Sequence, residues 1–368
     1  MIISRLGLVI VILLTLAGCS NMKQINRITF ITALGIDKSK LGVKVYALAA
    51  VPGRYAALAP GSGGSTGKPP NYILTAEGRN VAEALFIMKR KSARDIEFGH
   101  TKIFLFSNEM AKQGIDPCLD LFMRRAEFQP VSWIGITPGS VKSILEIVPE
   151  APETVADALV DTFSQYGSDT SEVLPIYMFE FYSLSAEVGQ SPFVMFVKNS
   201  KSGNKIEVSE LAVFKKDKLV GHLSPEETKM LYLLQKNKLR ATTFTIGNST
   251  TFNLLKYHNK IKVNAQQISI QLQLELEFDQ NEQAMLVTEA HQIDEMEQRV
   301  NESVQDEIKE LVSKLQHLRS DPAGFGNKYR TAVKGGFMSI DEWENELFPE
   351  MKIEIKVKST IQRRGVIK

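Results

Sequence analysis

The sequence predicts an α+β fold of several domains, mixed β-sheets covered by helices, behind a cleaved lipoprotein signal peptide. Three observations carry this. The chain is 368 residues long, 43% hydrophobic and 23% charged, enough for more than one core. Stretches with apolar residues at every second position are interleaved with stretches at helical spacing, the pattern of sheets packed under helices. The first twenty residues hold one apolar run that stops on a cysteine.

That run, Leu6 to Ala17 after Arg5, has about a dozen residues, too few for the ~20 a spanning helix needs. Leu16-Ala17-Gly18-Cys19 has the pattern of a bacterial lipobox, which predicts cleavage before Cys19 and diacylglyceryl attachment to its sulfur. Ordinary secretory cleavage and an uncleaved anchor are the alternatives, and both leave Cys19 without a role. At ~0.8 kcal/mol per buried CH₂, one chain anchors marginally and two or three on one residue hold firmly. The domains expected are therefore a signal peptide over 1–18, a lipidated tether over 19–26, an N-terminal α/β region over 27–200 with a possible break near 150, and a C-terminal α+β domain over 201–368.

After the tether, 27–37 reads as a strand that forms a hairpin through Lys38-Ser39-Lys40 with Val43, Val45, Ala47, Ala49 and Val51. Pro60 to Pro70 is a glycine- and serine-rich loop. A short strand follows at 72–76, then a helix over 80–91 with Val81, Ala84, Leu85 and Met88 on one face. The spacing next predicts a buried strand at 99–106, a short helix at 109–112, and a helix opened by Pro117 at its first position. A strand at 131–136, a helix at 140–147, helical segments between 149 and 190 and a strand at 192–197 complete the first region.

The second region opens with a hairpin, Leu211 to Phe214 and Leu219 to Leu223. Ser224-Pro225-Glu226-Glu227 then carries a capping-box signature for a helix to about Gln235. Ile268, Ile270, Leu272, Leu274, Leu276 and Phe278 alternate with polar residues, so one face of a long strand is buried. Ile293, Met296, Val300, Val304, Ile308, Leu311, Leu315 and Leu318 form the apolar stripe of a long helix. Its polar face mixes both signs of charge, which favours packing on its own sheet over lying on a membrane. Ile353, Ile355, Val357 and Ile361 share one face of a last strand.

Composition excludes several classes of chemistry. Without Arg5 the 44 Lys+Arg become 43, against 42 Asp+Glu, a balance that argues against nucleic acid as partner and against an electrostatic grip on lipid headgroups. The five histidines lie singly and no CxxC exists, so neither a metal site nor a cofactor is expected. Gly63, Ser65 and Gly67 match G-x-S-x-G, but low-complexity flanks lack the strand and helix a nucleophile elbow needs. His100 opens a strand, a position that suits a structural hydrogen-bonder. Cys118 reads as a small buried hydrophobe, and Glu226-Glu227 is explained by the helix macrodipole. No catalytic residue is assigned, and the expected protein is not an enzyme.

In order, Cys19, Ala33-Leu34-Gly35-Ile36-Asp37, Gly99-His100-Thr101-Lys102, Phe214-Lys215-Lys216-Asp217-Lys218-Leu219-Val220-Gly221, Asp321-Pro322-Ala323-Gly324-Phe325-Gly326, Asp341-Glu342-Trp343 and Gln362-Arg363-Arg364-Gly365 span the mature chain. Together they resemble the Ger(x)C family, the lipoprotein C subunit of bacterial spore germinant receptors. Ser20 stands where members often carry tryptophan, and Glu210-Leu211 where they carry a glycine. The resemblance implies a lipid-anchored ectodomain on the outer face of the cytoplasmic membrane, the inner membrane of the dormant spore. It also implies an A-type subunit and a permease-like B-type subunit as partners, and transfers one functional residue, Cys19. A solute-binding lipoprotein is the alternative, and it would have two similar lobes around a cleft, a repeat the sequence does not display.

Overall fold

The computed structural model describes residues 27–56, 69–149, 154–164, 169–200, 205–236, 238–247, 250–281, 290–333 and 338–362. The lipobox with Cys19, the Gly63/Ser65/Gly67 match and Arg363-Arg364-Gly365 lie outside them.

The first strands are β1 (Ile28–Lys38), β2 (Val43–Ala50) and β3 (Asn71–Gly78), then β4 (Asp95–Glu97), β5 (Ile103–Ser107) and β6 (Trp133–Thr137). With β7 (Phe193–Asn199), β8 (Ile206–Lys215) and β9 (Lys218–Leu223) they form one nine-stranded sheet in the order β3-β2-β1-β5-β6-β7-β8-β9, with β4 also on β1. The centre is parallel, β1 to β5, β5 to β6 and β6 to β7, and both flanks are antiparallel. Parallel strands need crossovers that cover both faces, which is why Ile103 to Phe106 is apolar without alternation and wholly buried.

Helices α1 (Pro52–Ala56), α2 (Val81–Lys91), α3 (Asn108–Gln113), α4 (Asp116–Arg124), α5 (Val141–Leu145), α6 (Val155–Phe163) and α7 (Met178–Ala186) belong to these connections. Side chains decide where several begin. Asn80 accepts from the Glu83 N–H at 2.9 Å, and Thr154 and Asp157 form a capping box at α6. Asp37, at the end of β1, accepts from the Ser140 hydroxyl at 2.6 Å and the Val141 N–H at 2.9 Å, so the strand's last carboxylate caps α5. Gly35 makes room for that helix: a Cβ there would sit 2.1 Å from Val141 Cγ1.

A second sheet, β10 (Thr243–Ile246), β11 (Thr250–Val263), β12 (Gln267–Asn281) and β13 (Lys352–Gln362), has that order, with β12 and β13 parallel from Gln267↔Lys352 to Glu277↔Gln362. The capping box at Ser224 starts α8 (Pro225–Gln235) as expected. The stripe of α9 (Ala290–Leu318) packs on this sheet: Val300, Val304, Ile308, Leu311 and Leu315 are buried with Ile268, Ile270, Leu272, Leu274 and Leu276. Helix α10 (Phe325–Ala332) and a helical stretch over 340–350 link α9 to β13.

The architecture is α+β, with mixed sheets and helices. Residues 27–200 and 201–368, separable by composition, share the larger sheet, because Phe193 to Asn199 pairs antiparallel with Ile206 to Val213. The two sheets differ in strand number and order, so the halves are not repeats of one lobe.

Candidate functional site

Three of the short motifs singled out in the sequence, Phe214 to Gly221, Asp321 to Gly326 and Asp341 to Trp343, converge where the two sheets are joined. At its centre is Asp321, wholly buried just after α9. Its carboxylate accepts from the Gly324 N–H at 2.9 Å, the Gly326 N–H at 2.8 Å and the Trp343 Nε1–H at 3.0 Å. Gly324 has φ 75°, a left-handed turn that suits glycine and folds the chain back over the carboxylate. Gly326 permits close approach: a Cβ there would lie 2.5 Å from Gly189 Cα and 2.7 Å from the Trp343 ring. The spacing in Asp321-Pro322-Ala323-Gly324-Phe325-Gly326 is thus that of a carboxylate-centred turn with an indole as its third donor.

The turn is bonded to the segment that leads into β7. Ser191 N–H donates to Asp321 O at 2.9 Å, Asp321 N–H donates to Ser191 Oγ at 2.7 Å, and Asn327 N–H donates to Gly189 O at 3.0 Å. The Ser191 hydroxyl donates to Glu344 Oε1 at 2.8 Å, while Glu344 Oε2 has no hydrogen-bond partner among the described residues. Gln190 Nε2 donates to Pro322 O at 3.0 Å, and Gln235 from α8 reaches the same carbonyl.

The β8–β9 turn, Lys215 to Lys218, clamps both sides. Asp217 accepts from Asp116 N–H at 3.2 Å and its carbonyl from Ile115 N–H at 3.2 Å, holding the start of α4. Lys216 pairs with Asp341 at 3.1 Å, Lys215 reaches Asn345, and Ser320 Oγ donates to Phe214 O at 2.7 Å. Gly221 leaves space for Leu318, whose Cδ1 would be 2.6 Å from a Cβ there.

Two acids inside this junction are held toward their neutral forms. Burial pushes the Asp321 carboxyl up to about 7, against the N–H groups of Gly326, Phe325, Gly324 and Trp343. Burial likewise pushes Glu344 up to about 7, against the Ser191 hydroxyl and the charges of Lys215 and Lys216. Among the described residues no group of three His, Cys, Asp or Glu is placed to hold a metal ion. The arrangement joins two sheets.

Residues 21–199 match "Spore germination protein N-terminal domain", and residues 209–365 match "Spore germination B3/ GerAC like, C-terminal". This chain belongs to the Ger(x)C family. Among relatives, spore germination protein B3 of Bacillus subtilis (strain 168) is 24% identical over 379 residues, covering 99% of this chain and 98% of that protein. Spore germination protein KC of the same organism is 23% identical over 391 residues, covering 98% and 95%. The solved structure described as the GerBC protein shares the fold with a TM-score of 0.57 at 17% identity, over 93% of this chain and all of that one.

In this Ger(x)C chain the remaining sequence candidates scatter. His100 is exposed and stands edge-on to Phe30, with ring centroids 5.0 Å apart. With Lys102, Ala156 and Val160 these residues line an open cavity of about 480 Å³. Thr101 beside it is buried and splices strands: its hydroxyl donates to Ile31 O at 3.3 Å and its carbonyl accepts from Ser132 Oγ at 2.7 Å. Cys118 is buried at 3% exposure, which pushes its thiol up to about 12. Glu227 closes the α8 capping box and pairs with Lys314 at 2.7 Å. Sequence reasoning missed Ser191, Gln190 and Glu344. Their role depends on partners 130 residues or more away, and the local signal, an acid beside Trp343, was available only in hindsight of that contact.

Proposed function

We propose that this chain is a non-enzymatic, lipid-anchored subunit of a spore nutrient-germinant receptor, held at Cys19 on the outer face of the spore inner membrane and docked onto an A-type and a permease-like B-type subunit. The observation that carries the reading is the ordered match of both regions, 21–199 and 209–365, to germination-protein families, with the lipobox cysteine immediately upstream. The physical logic fits: a tether confines the folded regions near the bilayer and raises their effective concentration at a membrane partner, so modest contacts suffice.

The test is Cys19→Ala in spores. The expected result is loss of the chain from the membrane fraction, loss of co-purifying A-type and permease-like subunits, and an impaired response to nutrient germinants. Full membrane retention with normal receptor assembly would refute the anchor.

A further inference from the structure

The larger sheet has one rim unlike the rest of the surface. Pair registers bring together the ends of five strands there: Phe30 opposite Ala50, Ala49 opposite Tyr72, and Ile103 beside Trp133. Tyr177 stacks on Trp133 with centroids 3.9 Å apart, and Phe179 lies 5.9 Å beyond. Tyr72, Val131 and Phe179 are 41%, 61% and 40% exposed, three of the seven large apolar side chains exposed among the described residues. Exposed cations flank them: Arg27 before β1, Arg94 before β4, and Lys102 before β5. Carboxylates are interspersed with them, so the rim carries both signs of charge: Glu97 accepts from Gly99 N–H, Asp157 from Thr154 N–H and Glu180 from Tyr177 N–H. Asp95 is engaged as well.

This is also the rim at which the chain enters the fold. Only eight peptide links separate Cys19 from Arg27, a reach of at most about 28 Å. The strand that follows, β1, runs 11 residues, about 36 Å, to the opposite rim. A bilayer-bound Cys19 therefore favours the aromatic rim as the membrane-facing one. Ringed aromatics with a polar edge and long cationic side chains are the residues that settle at a headgroup layer.

We infer that this rim is a bilayer-contact surface, with Tyr72, Trp133, Tyr177 and Phe179 at the headgroup layer and the long side chains of Arg27, Arg94 and Lys102 reaching lipid phosphates. The inference rests on the lipid-anchor reading of Cys19 for its orientation.

The chain has two tryptophans, and Trp343 is only 1% exposed in the junction, so Trp133 is the optical reporter. The lipidated chain is placed in phosphatidylglycerol/phosphatidylcholine vesicles whose acyl chains carry bromine near the headgroup. The expected result is quenched emission, with quenching abolished in Trp133→Phe and reduced in the Val131→Ser/Phe179→Ser double variant, each with an unchanged thermal transition. Absence of quenching, equal quenching in Trp133→Phe, or quenching only when receptor subunits are added overturns the inference, the last assigning the rim to a protein partner. The mass of the N-terminal peptide reports Cys19 separately: a lipidated chain without quenching sinks this surface alone, and an unlipidated chain that is quenched sinks the anchor alone.

Discussion

Replacing Asp321 with alanine tests the junction most directly. The substitution leaves three buried donors, the N–H groups of Gly324, Gly326 and the Trp343 indole, without their acceptor. Each orphaned donor costs roughly 1–3 kcal/mol. Relief of the buried acid works against that loss. Burial raises the carboxyl from 3.8 to about 7, so keeping it folded costs about 1.4 kcal/mol for every pH unit between those values. The folded value lies above the unfolded one, so this group's contribution is fully present below 3.8 and is lost as pH rises through about 7. The variant lacks that dependence, and Glu344 titrates in both chains. Asp321→Ala is therefore expected to destabilise by about 4 kcal/mol at pH 5 but only by about 1–2 kcal/mol at pH 7. Urea unfolding in a Trp133→Phe background, followed by Trp343 emission at both pH values, measures the difference. A loss below about 1 kcal/mol at pH 5, or the same loss at both pH values, would refute the reasoning.

Two further outcomes follow from packing and burial. Gly35→Ala is expected to cost about 1–3 kcal/mol, because a Cβ meets the stiff β-branched Val141 at 2.1 Å. Gly221→Ala is expected to cost less, since it meets the rotatable end of Leu318 at 2.6 Å; denaturant midpoints that rank the two the other way would sink that argument. Cys118, buried and with its thiol pushed up to about 12, should take up no thiol reagent in the native mature chain and one equivalent on unfolding. Labelling of the native chain would point instead to a free sulfur at Cys19.

The elements that were legible in the sequence are those whose burial follows one local period. Leu272, Leu274 and Leu276 alternate because β12 has one buried face, and Val300, Val304 and Ile308 recur because α9 has one buried stripe. Ser224 and Glu227 announced α8 because both capping partners lie within one turn. Strand β11 escaped notice although it spans 14 residues. The register shift at Leu254/Lys256 breaks its alternation, so Phe252 and Leu254 fall out of step with Tyr257 and Val263. The three-residue β4 is too short to carry a period.

The motif residues teach the same lesson from the side of function. Asp37, Gly35, Thr101, Gly221 and Asp321 were recognisable as a set, but their roles as cap, clearance, splice and turn centre depend on Ser140, Val141, Ile31, Leu318 and Trp343, which local spacing does not name. The sequence by itself determined the lipobox pattern at Cys19, the balance of charge, the interleaving of strand and helix periods, and the family resemblance. Only tertiary structure decided that β7 and β8 make one sheet across the expected boundary, that β12 runs parallel to β13 some 80 residues later, and that Ser191, Asp321, Trp343 and Glu344 share one buried network. The physical reason is that a side-chain period reports which face of an element is buried. A hydrogen bond or a parallel pairing across a hundred residues is settled by which buried faces meet.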